Sequence, residues 1–191
     1  MDEIKYRIRK SIVAKEAMLS KCSKAIEQAS NAMYQAVKKD KKILWCGNGG
    51  SAADSQHMAA ELMGGLISHD RAPIPSIALT TDTSFLTAWT NDTDYDTVFS
   101  RQIEGLGHEG DVLLAISTSG NSKNVINAVI AAKEKGIISI ALTGNGGGKL
   151  ASKSDIDICI PSDNTQIIQE GHLLTEHILC EILEQSLIKG L

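Results

Sequence analysis

The sequence lacks the features of a membrane-bound or secreted protein. No apolar run approaches the roughly 18 residues that a membrane-spanning helix needs, and residues 1–5 contain no apolar signal core. The 191 residues also contain no internal repeat, low-complexity segment or linker. We therefore expect a single cytoplasmic domain over residues 1–191, without a membrane partner and large enough to bury its own core.

Cysteine pairs and basic clusters are missing as well. The four cysteines have no CxxC spacing: Cys22, Cys46, Cys159 and Cys180. Three of them, Cys46, Cys159 and Cys180, fall in apolar runs, which predicts buried free thiols. The net charge of −4 disfavours nucleic acid as a partner, and we interpret the lysines of residues 38–42 as a solvated helix–strand junction.

Hydrophobic patterning predicts helices that alternate with short strands. Five apolar runs are typical of buried strands: residues 43–46, 76–79, 111–116, 137–142 and 156–160. Helical spacing predicts one or two helices over residues 4–38, with a break near residues 20–23, and further helices over residues 52–66, 80–91, 95–106, 125–135 and 165–187. Ser51 is the predicted N-cap of the 52–66 helix, and Gly136 is predicted to end the 125–135 helix.

This order of elements predicts an α/β fold, a flavodoxin-like doubly wound five-stranded parallel sheet. Residues 1–40 are expected to form an N-terminal helical segment, and a long C-terminal helix is expected to close the chain. Helices cover both faces of such a sheet, so its strands are apolar throughout. Ligands of these folds bind at the carboxyl ends of the strands, and the loops at those ends are therefore the first candidates for a site.

Two loops at those ends are built alike and predict a phosphate site. Residues 46–51 and 116–122 each follow an apolar strand and open a helix. Backbone N–H groups, hydroxyls and the helix dipole together favour an anion at such a position. Ordinary N-cap and turn chemistry is the alternative. The second loop, however, holds more hydroxyls than a cap needs: Ser117, Thr118, Ser119 and Ser122.

Two nucleotide-binding motifs are the alternatives to a simple phosphate site at these loops. The first loop matches a variant of the dinucleotide fingerprint, G-x-G-x-x-A, through Gly47, Gly49 and Ala52. That fingerprint also requires an acidic residue about 20 positions further on, at the end of the second strand. Here the second predicted strand ends near residues 80–82, too far from the loop, which disfavours nicotinamide binding. No Gly-Lys-Ser or Gly-Lys-Thr follows either loop, which disfavours a P-loop.

Two predicted helices carry side chains suited to acid–base or metal chemistry. His57 and Glu61 are one turn apart and share a face, as metal ligands, as a base and its partner, or as a solvated pair. The C-terminal helix offers five more candidates: Gln169, Glu170, His172, Glu176 and His177. Gln169 and His177 are separated by about 12 Å along a regular helix and by about 80° around it. They serve one ion only if the helix is distorted or if they come from different subunits.

The ordered set of these motifs resembles the phosphoheptose isomerases, or sedoheptulose-7-phosphate isomerases, a branch of the SIS (sugar isomerase) domain proteins. The resemblance runs nearly end to end and includes both loops, His57 with Glu61, Asn91 with Asp92, and Gln169, Glu170 and His177. It implies that residues 1–191 form one SIS domain of a cytoplasmic homotetramer, with active sites at subunit interfaces and one zinc ion per subunit. It also implies aldose–ketose isomerisation of sedoheptulose 7-phosphate to D-glycero-D-manno-heptose 7-phosphate, the first step of heptose supply for lipopolysaccharide or capsule.

The resemblance implies roles for individual residues as well. Five positions match those that hold the sugar phosphate: Ser51, Ser117, Thr118, Ser119 and Ser122. Five more match backbone contacts of the first loop and a polar pair near the sugar: Asn48, Gly49, Gly50, Asn91 and Asp92. Four match the metal or catalytic set: His57, Glu61, Gln169 and His177. In this set Glu61 is the expected base and His177 the expected acid, zinc would polarise the carbonyl, and Glu61 and Gln169 also contact the substrate.

Two positions depart from the family pattern. Many members carry arginine where this chain has Gly65 and Ile167, which leaves the substrate open, with Arg71 and Lys123 as candidates to compensate. The alternatives are an isomerase of another sugar phosphate and a non-catalytic SIS adaptor that binds a replication-initiator-type protein. The adaptors lack the catalytic Glu and His, whereas this chain keeps both, and this favours an enzyme.

Overall fold

A five-stranded parallel sheet organises residues 2–189, the part of the chain that the computed structural model describes. Its strands are β1 (Ile43–Gly47), β2 (Ser76–Ala78), β3 (Val112–Ser117), β4 (Ile138–Gly144) and β5 (Ile156–Ile160). They pair in the order β2-β1-β3-β4-β5, with parallel neighbours. The predicted flavodoxin-like doubly wound sheet is confirmed. Its switch point lies between β1 and β3, the two strands that lead into the ligand loops.

Helices connect and cover the strands: α1 (Asp2–Lys21), α2 (Ser23–Val37), α3 (Gly50–Gly64), α4 (Thr83–Asp92), α5 (Val98–Leu106), α6 (Lys123–Glu134), α7 (Gly148–Ala151) and α8 (Thr165–Lys189). The predicted break in the N-terminal helix falls at Cys22. The predicted 80–91 helix begins only at Thr83, because Asp82 Oδ1 accepts a hydrogen bond from Phe85 N–H (3.0 Å) and caps it. Within residues 2–189, none of the helices combines the length and the apolar character needed to cross a membrane.

The two capping predictions have different outcomes. The Ser51 prediction is wrong, because Gly49 is the N-cap of α3, with a φ of +58° and no side-chain cap bond. Glycine adopts a positive φ at little steric cost, so the chain turns into the helix earlier, and Ser51 is buried in its first turn. The Gly136 prediction is confirmed, since α6 ends at Glu134 and Gly136 follows the C-cap residue with a φ of +68°.

Apolar side chains pack on both faces of the sheet. Trp45 and Leu114 face one side, in a core shared with α2, α3 and α8. Leu44 and Leu113 face the other side, in a core shared with α5 and α6. Strands β1 and β3 are buried along their whole length, and for this reason each is a continuous apolar run in the sequence. The first of these faces carries α3 and α8, the helices with the candidate chemical groups.

All four cysteines are free thiols, as predicted for Cys46, Cys159 and Cys180. Cys46 and Cys180 are buried as expected, and Cys22 is buried too. The prediction for Cys159 is wrong, because this residue lies on the edge strand β5, which has a neighbouring strand on one side only, and it is half-buried. Burial raises the pKa of the Cys46 thiol to about 12, so Cys46 is an unreactive core residue.

His172, on α8, is a buried histidine with an incomplete set of hydrogen bonds. Its Nε2–H donates to the carbonyl oxygen of Thr143 (2.9 Å), whereas Nδ1 has no partner among residues 2–189. Burial lowers the pKa of His172 to about 4 and outweighs the bond to Thr143, which acts in the opposite direction. The folded protein therefore keeps this imidazole neutral at pH values where the unfolded chain binds a proton.

We expect His172 to make the protein less stable in acid. As the pH falls from about 6.5 towards 4, the unfolded state gains a proton that the folded state does not, and roughly 3 kcal/mol of the free energy of unfolding is lost. In urea titrations across this range, His172→Gln should lose less stability than the wild type, and the exposed-site control His69→Gln should follow the wild type. Equal pH slopes for His172→Gln and the wild type would contradict the assignment.

Candidate active site

Helices α3 and α8 lie side by side on one face of the sheet and run in the same direction. Near the start of each helix, an added Cβ on Gly50 would lie 2.9 Å from Gln169 Nε2. About two turns further along, the imidazole rings of His57 and His177 have their centroids 5.1 Å apart. The predicted site residues of these helices therefore form two groups, one at the first loop and one about 10 Å further along α3.

The second group consists of His57, Glu61 and His177. His57 Nε2 and Glu61 Oε1 are 3.2 Å apart, and the two side chains are 43% and 25% exposed. The ring of His177 meets that of His57 edge to face, at 77°. A carboxylate and two imidazoles thus lie together at a surface that a ligand can reach, which is an arrangement suited to general acid–base chemistry.

Two acidic residues lie beside this group. Asp54 was not a predicted site residue, and Glu176 was one of the five candidates on α8 but had no assigned role. Asp54 lies one turn before His57 on α3, and burial raises its pKa against the opposing charges of His57 and His177. Glu176 is fully buried with neither carboxyl oxygen hydrogen-bonded within residues 2–189. Its burial, with the charge of Asp54, raises the pKa of Glu176 to about 8. In the sequence, helical spacing was the signal for both residues. Asp54 is three residues before His57 and so shares its face of α3, and Glu176 is three residues before Leu179, which is buried.

The donor types of the second group fit a zinc ion. Zinc in proteins is bound by imidazole nitrogens and carboxylate oxygens, and these are the groups that His57, His177 and Glu61 present. Within the described chain, however, no three His, Cys, Asp or Glu side chains already have an arrangement that could hold a metal ion. His57 Nε2 and Glu61 Oε1 instead contact each other, so these two atoms could bind a metal only if the pair reoriented.

Gln169 lies at the first loop and not beside His177. Helix α8 is a continuous α-helix, so the two residues keep their separation of about 12 Å, and one chain cannot bring both to one small ion. The neighbouring Glu170 accepts hydrogen bonds from Ser11 Oγ and from Lys15 Nζ (3.2 Å). These bonds fasten the start of α8 to α1 and thereby fix the position of Gln169 over the first turn of α3.

The first loop turns tightly between β1 and α3. An added Cβ on Gly47 would lie 2.7 Å from Ser51 Cβ, so the chain passes too close to itself there for any larger residue. The N–H of Ser51 donates to the carbonyl oxygen of Asn48 (3.0 Å) and closes the turn. The amino end of α3 therefore points at the carboxyl edge of the sheet, which is the position predicted for an anion.

The second loop is held in shape by its own hydroxyls. Ser117 Oγ and Ser122 Oγ are 3.0 Å apart and share a hydrogen bond. Ser119 Oγ accepts a hydrogen bond from the N–H of Asn121 (3.2 Å). Ser117 is buried, Thr118 and Ser122 are half-buried, and Ser119 is exposed. The predicted phosphate-binding hydroxyls thus lie at different depths, and the more accessible ones are those available to a ligand.

A third loop, residues 145–147 between β4 and α7, packs against the second loop together with the start of α7. Gly120 has a φ of +62°, and an added Cβ on it would clash with the third loop's backbone. An added Cβ on Gly148 would lie 2.5 Å from the carbonyl oxygen of Ser119. The N–H of Leu150 donates to the carbonyl oxygen of Gly120 (2.9 Å). The sequence signal for this packing was the run of glycines, to which we assigned no role.

The predicted polar pair Asn91 and Asp92 lies at the end of α4. Both side chains are exposed, and Asn91 Nδ2 donates to Asp92 Oδ1 (2.8 Å). The chain that follows returns to the first loop, where Tyr95 OH donates to Asn48 Oδ1 (2.8 Å). The structure therefore places this pair on a segment that is fastened to the first loop.

Residue 65 has a backbone conformation that suits glycine and not arginine. Gly65 caps the C-terminus of α3 with a φ of +117°, and a side chain there would clash with the carbonyl oxygen of Ser68. Arg71, one of the two candidates to compensate, lies with its Nε 3.1 Å from Glu184 Oε2 and is almost fully buried. Its Nη2 donates to the carbonyl oxygen of Glu61 (2.9 Å). Arg71 thus joins α3 to α8 and does not face the ligand loops.

Lys123, the other candidate, is better placed. It is the first residue of α6, directly after the second loop. Its Nζ lies 3.3 Å from Asp96 Oδ2, and its side chain is 78% exposed. An ion pair so exposed contributes little, so Lys123 can turn towards an anion at the loop at small cost. Ile167, the second family arginine position, lies instead in a groove lined by Tyr6 and Lys10 of α1.

Comparison with known proteins shows similarity to SIS domain proteins over most of the chain. Residues 8–144 match the sequence model of the SIS domain. A phosphoheptose isomerase of Sulfurimonas denitrificans is 51% identical over 182 residues, which cover 95% of this chain and 91% of that protein. The structure of a phosphoheptose isomerase from Neisseria gonorrhoeae is 45% identical with a TM-score of 0.91, covering 96% of this chain and 98% of the other. One from Francisella tularensis is 40% identical with a TM-score of 0.93, covering 96% and 97%.

Proposed function

This chain belongs to the SIS domain family and, within it, to the phosphoheptose isomerases, and we propose that it interconverts sedoheptulose 7-phosphate and D-glycero-D-manno-heptose 7-phosphate. The observation that carries the proposal is the group of His57, Glu61 and His177, because it lies along the same helix that the first loop opens. The distance from loop to group, about 10 Å, is comparable to the length of an extended seven-carbon sugar phosphate. In the cell the reaction would be cytoplasmic and would begin heptose supply for lipopolysaccharide or capsule.

The proposed chemistry is a proton transfer between neighbouring carbons. The carboxylate of Glu61 removes a proton from C1 of the ketose and delivers a proton to C2 of the resulting enediol. His177 donates a proton to the carbonyl oxygen at C2 and then takes one back from the hydroxyl at C1, so that atoms and electrons balance and His177 regains its starting state. The 3.2 Å contact with His57 holds the Glu61 carboxylate in one orientation for both transfers.

We propose that the phosphate binds between the two loops. Its ligands would be backbone N–H groups and side-chain hydroxyls: Asn48, Gly49, Gly50, Ser51, Ser117, Thr118, Ser119 and Ser122. The amino ends of α3 and α6 add positive partial charge at this place. Because the two family arginines are absent, these neutral donors would carry most of the binding, with Lys123 as the nearby cation. Asn91 and Asp92 would bind hydroxyls of the sugar.

We propose zinc as the metal, with one ion per subunit. His57, Glu61, His177 and Gln169 would hold it, and the imidazole and carboxylate donors among them are types that zinc prefers. When bound, zinc supplies Lewis-acid polarisation of the substrate carbonyl. Glu61 would then serve as both ligand and base, and the zinc content of a Glu61 variant distinguishes these roles.

We propose a homotetramer whose active sites lie between subunits. In one chain, Gln169 lies beside the start of α3, and His177 lies about 10 Å further along that helix. A site that uses both residues would therefore take one of them from a partner. Helix α1 also exposes apolar side chains that a partner would cover: Ile4, Ile8, Ile12, Val13 and Leu19. Light scattering should give four times the 20.4 kDa of one chain, whereas a monomer would contradict the shared site.

A turnover assay tests the proposed function. Purified protein loaded with zinc should convert sedoheptulose 7-phosphate to the aldose and leave an amino-sugar phosphate unchanged. A chelator should remove the activity, and added zinc should restore it. Conversion of the amino-sugar phosphate alone would assign a different isomerase. No turnover of any heptose phosphate, together with tight binding of a replication-initiator protein, would identify an adaptor.

A further inference from the structure

We infer that Asn124 is a positioning residue that holds the two ligand loops at a fixed separation. Asn48 lies in the first loop, and Asn124 lies in the first turn of α6, directly after the second loop. Their side-chain amides form a reciprocal pair. Asn48 Nδ2 donates to Asn124 Oδ1 (2.9 Å), and Asn124 Nδ2 donates to Asn48 Oδ1 (2.8 Å). We call this pair the amide clasp, and its functional meaning rests on the proposed function.

The surrounding hydrogen bonds fix the orientation of both amides. The N–H of Val125 donates to Asn124 Oδ1 (2.9 Å), so this atom must be the oxygen, and Nδ2 must face Asn48. Tyr95 OH lies 2.8 Å from Asn48 Oδ1 and donates to it as well. Asn124 is only 3% exposed, and a buried amide whose oxygen and nitrogen both have hydrogen-bond partners is strongly held. The clasp therefore has one geometry and joins three segments of the chain.

The amide clasp determines which hydrogen-bonding groups of Asn48 are available to a ligand. Its side-chain oxygen accepts from Asn124 and Tyr95, and its amide nitrogen donates to Asn124. The oxygen and one N–H of the Asn48 amide are thus committed to the protein, which leaves one N–H of Nδ2 and the backbone of Asn48 and of the glycines after it for a phosphate. A phosphate that takes donors from both loops at once binds best when their separation is already set, because no free energy is spent on arranging them.

A positioning role and a merely structural role of Asn124 predict different changes in KM, in the phosphate Kd and in kcat. If Asn124 sets the loop separation, its loss weakens binding of the phosphate group, so KM for sedoheptulose 7-phosphate and the Kd for inorganic phosphate rise together. If Asn124 only stabilises the fold, its loss lowers the fraction of folded enzyme. In that case the apparent kcat falls, whereas KM and the phosphate Kd of the folded molecules stay the same.

The test compares Asn124→Ala with Asn127→Ala. Asn127 lies one turn later on α6, and its amide donates to the backbone carbonyl of Asp96 (2.9 Å), a residue that belongs to neither loop. We expect Asn124→Ala to raise KM and the phosphate Kd, measured by calorimetry, each about tenfold, as the loss of two buried hydrogen bonds suggests. Asn127→Ala should leave both within about twofold of the wild type.

Two further variants keep the inference testable if Asn124→Ala folds poorly. Tyr95→Phe removes one bond to Asn48 and should raise the phosphate Kd by a smaller factor, because the reciprocal pair remains. Asn48→Ala should match Asn124→Ala, and the double variant should show no further rise, because each side chain acts through the other. An unchanged phosphate Kd in folded Asn124→Ala, or additive effects in the double variant, would overturn the inference. The phosphate measurement needs no turnover, so it stands apart from a failure of the proposed reaction.

Discussion

Replacing Glu61 with glutamine is expected to lower kcat for sedoheptulose 7-phosphate by about 10³-fold. Glutamine has nearly the same shape and can still hydrogen-bond His57, which lies 3.2 Å from the carboxylate, but it cannot take a proton from carbon. The side chain is a quarter exposed, so the variant should fold and unfold like the wild type. The loss should therefore appear in kcat and not in the amount of folded protein.

The control for this experiment is Glu181→Gln, a matched change at an exposed position of α8, which should retain wild-type turnover. Activity should be expressed per bound zinc, because Glu61 is also a proposed ligand. If the turnover of Glu61→Gln per bound zinc ion is still lower than that of the wild type, Glu61 is the base. Equal turnover per zinc in the variant and the wild type would sink that assignment and leave Glu61 as a ligand only.

Replacing Glu184 with alanine is expected to lower the free energy of unfolding by about 3–5 kcal/mol, the cost of breaking a buried ion pair. The Glu184 side chain is fully buried and lies 3.1 Å from Arg71 Nε. It also accepts hydrogen bonds from three backbone N–H groups, those of Leu66, Ile67 and Ser68. Burial alone would raise the pKa of Glu184, but these backbone bonds and Arg71 together lower it. Alanine would leave a buried cation and three backbone donors without a partner.

Urea titration measures this effect, with Glu181→Ala as the control at an exposed position of the same helix. Glu184→Gln keeps the volume and one acceptor, so it should be intermediate, and it provides a readout if the alanine variant does not fold. Because Arg71 also binds the carbonyl oxygen of Glu61, turnover should fall with stability. A destabilisation of Glu184→Ala below about 1 kcal/mol would contradict the assigned role.

The sheet could be predicted because its central strands are buried on both faces. Strands β1 and β3 are unbroken apolar runs between polar loops, and this pattern does not depend on distant contacts. The start of α3 could not be predicted in the same way, because the sequence shows a glycine at residue 49 but not the sign of its φ. Helix α7 was not predicted, since its four residues are too few for a helical period to be visible.

The arrangement of the candidate site depends on tertiary contacts that no local pattern encodes. Helical spacing could place His57 and Glu61 on one face, but only the packing of α8 against α3 brings His177 to them. The same holds for Glu184 and Arg71, a helix residue and a loop residue without any regular spacing. The family resemblance supplied the grouping of these helices, and the structure adds their parallel alignment and the separate position of Gln169.

The most direct test of the account is the fate of the transferred proton. Zinc-loaded protein would be incubated with sedoheptulose 7-phosphate in D₂O and the sugars followed by NMR. Because the Glu61 carboxyl group is partly exposed, its proton should exchange with solvent, and the aldose should appear with deuterium at C2. An aldose that retains hydrogen at C2, or no aldose while Glu61 and the loops are intact, would contradict proton transfer by Glu61 at this site.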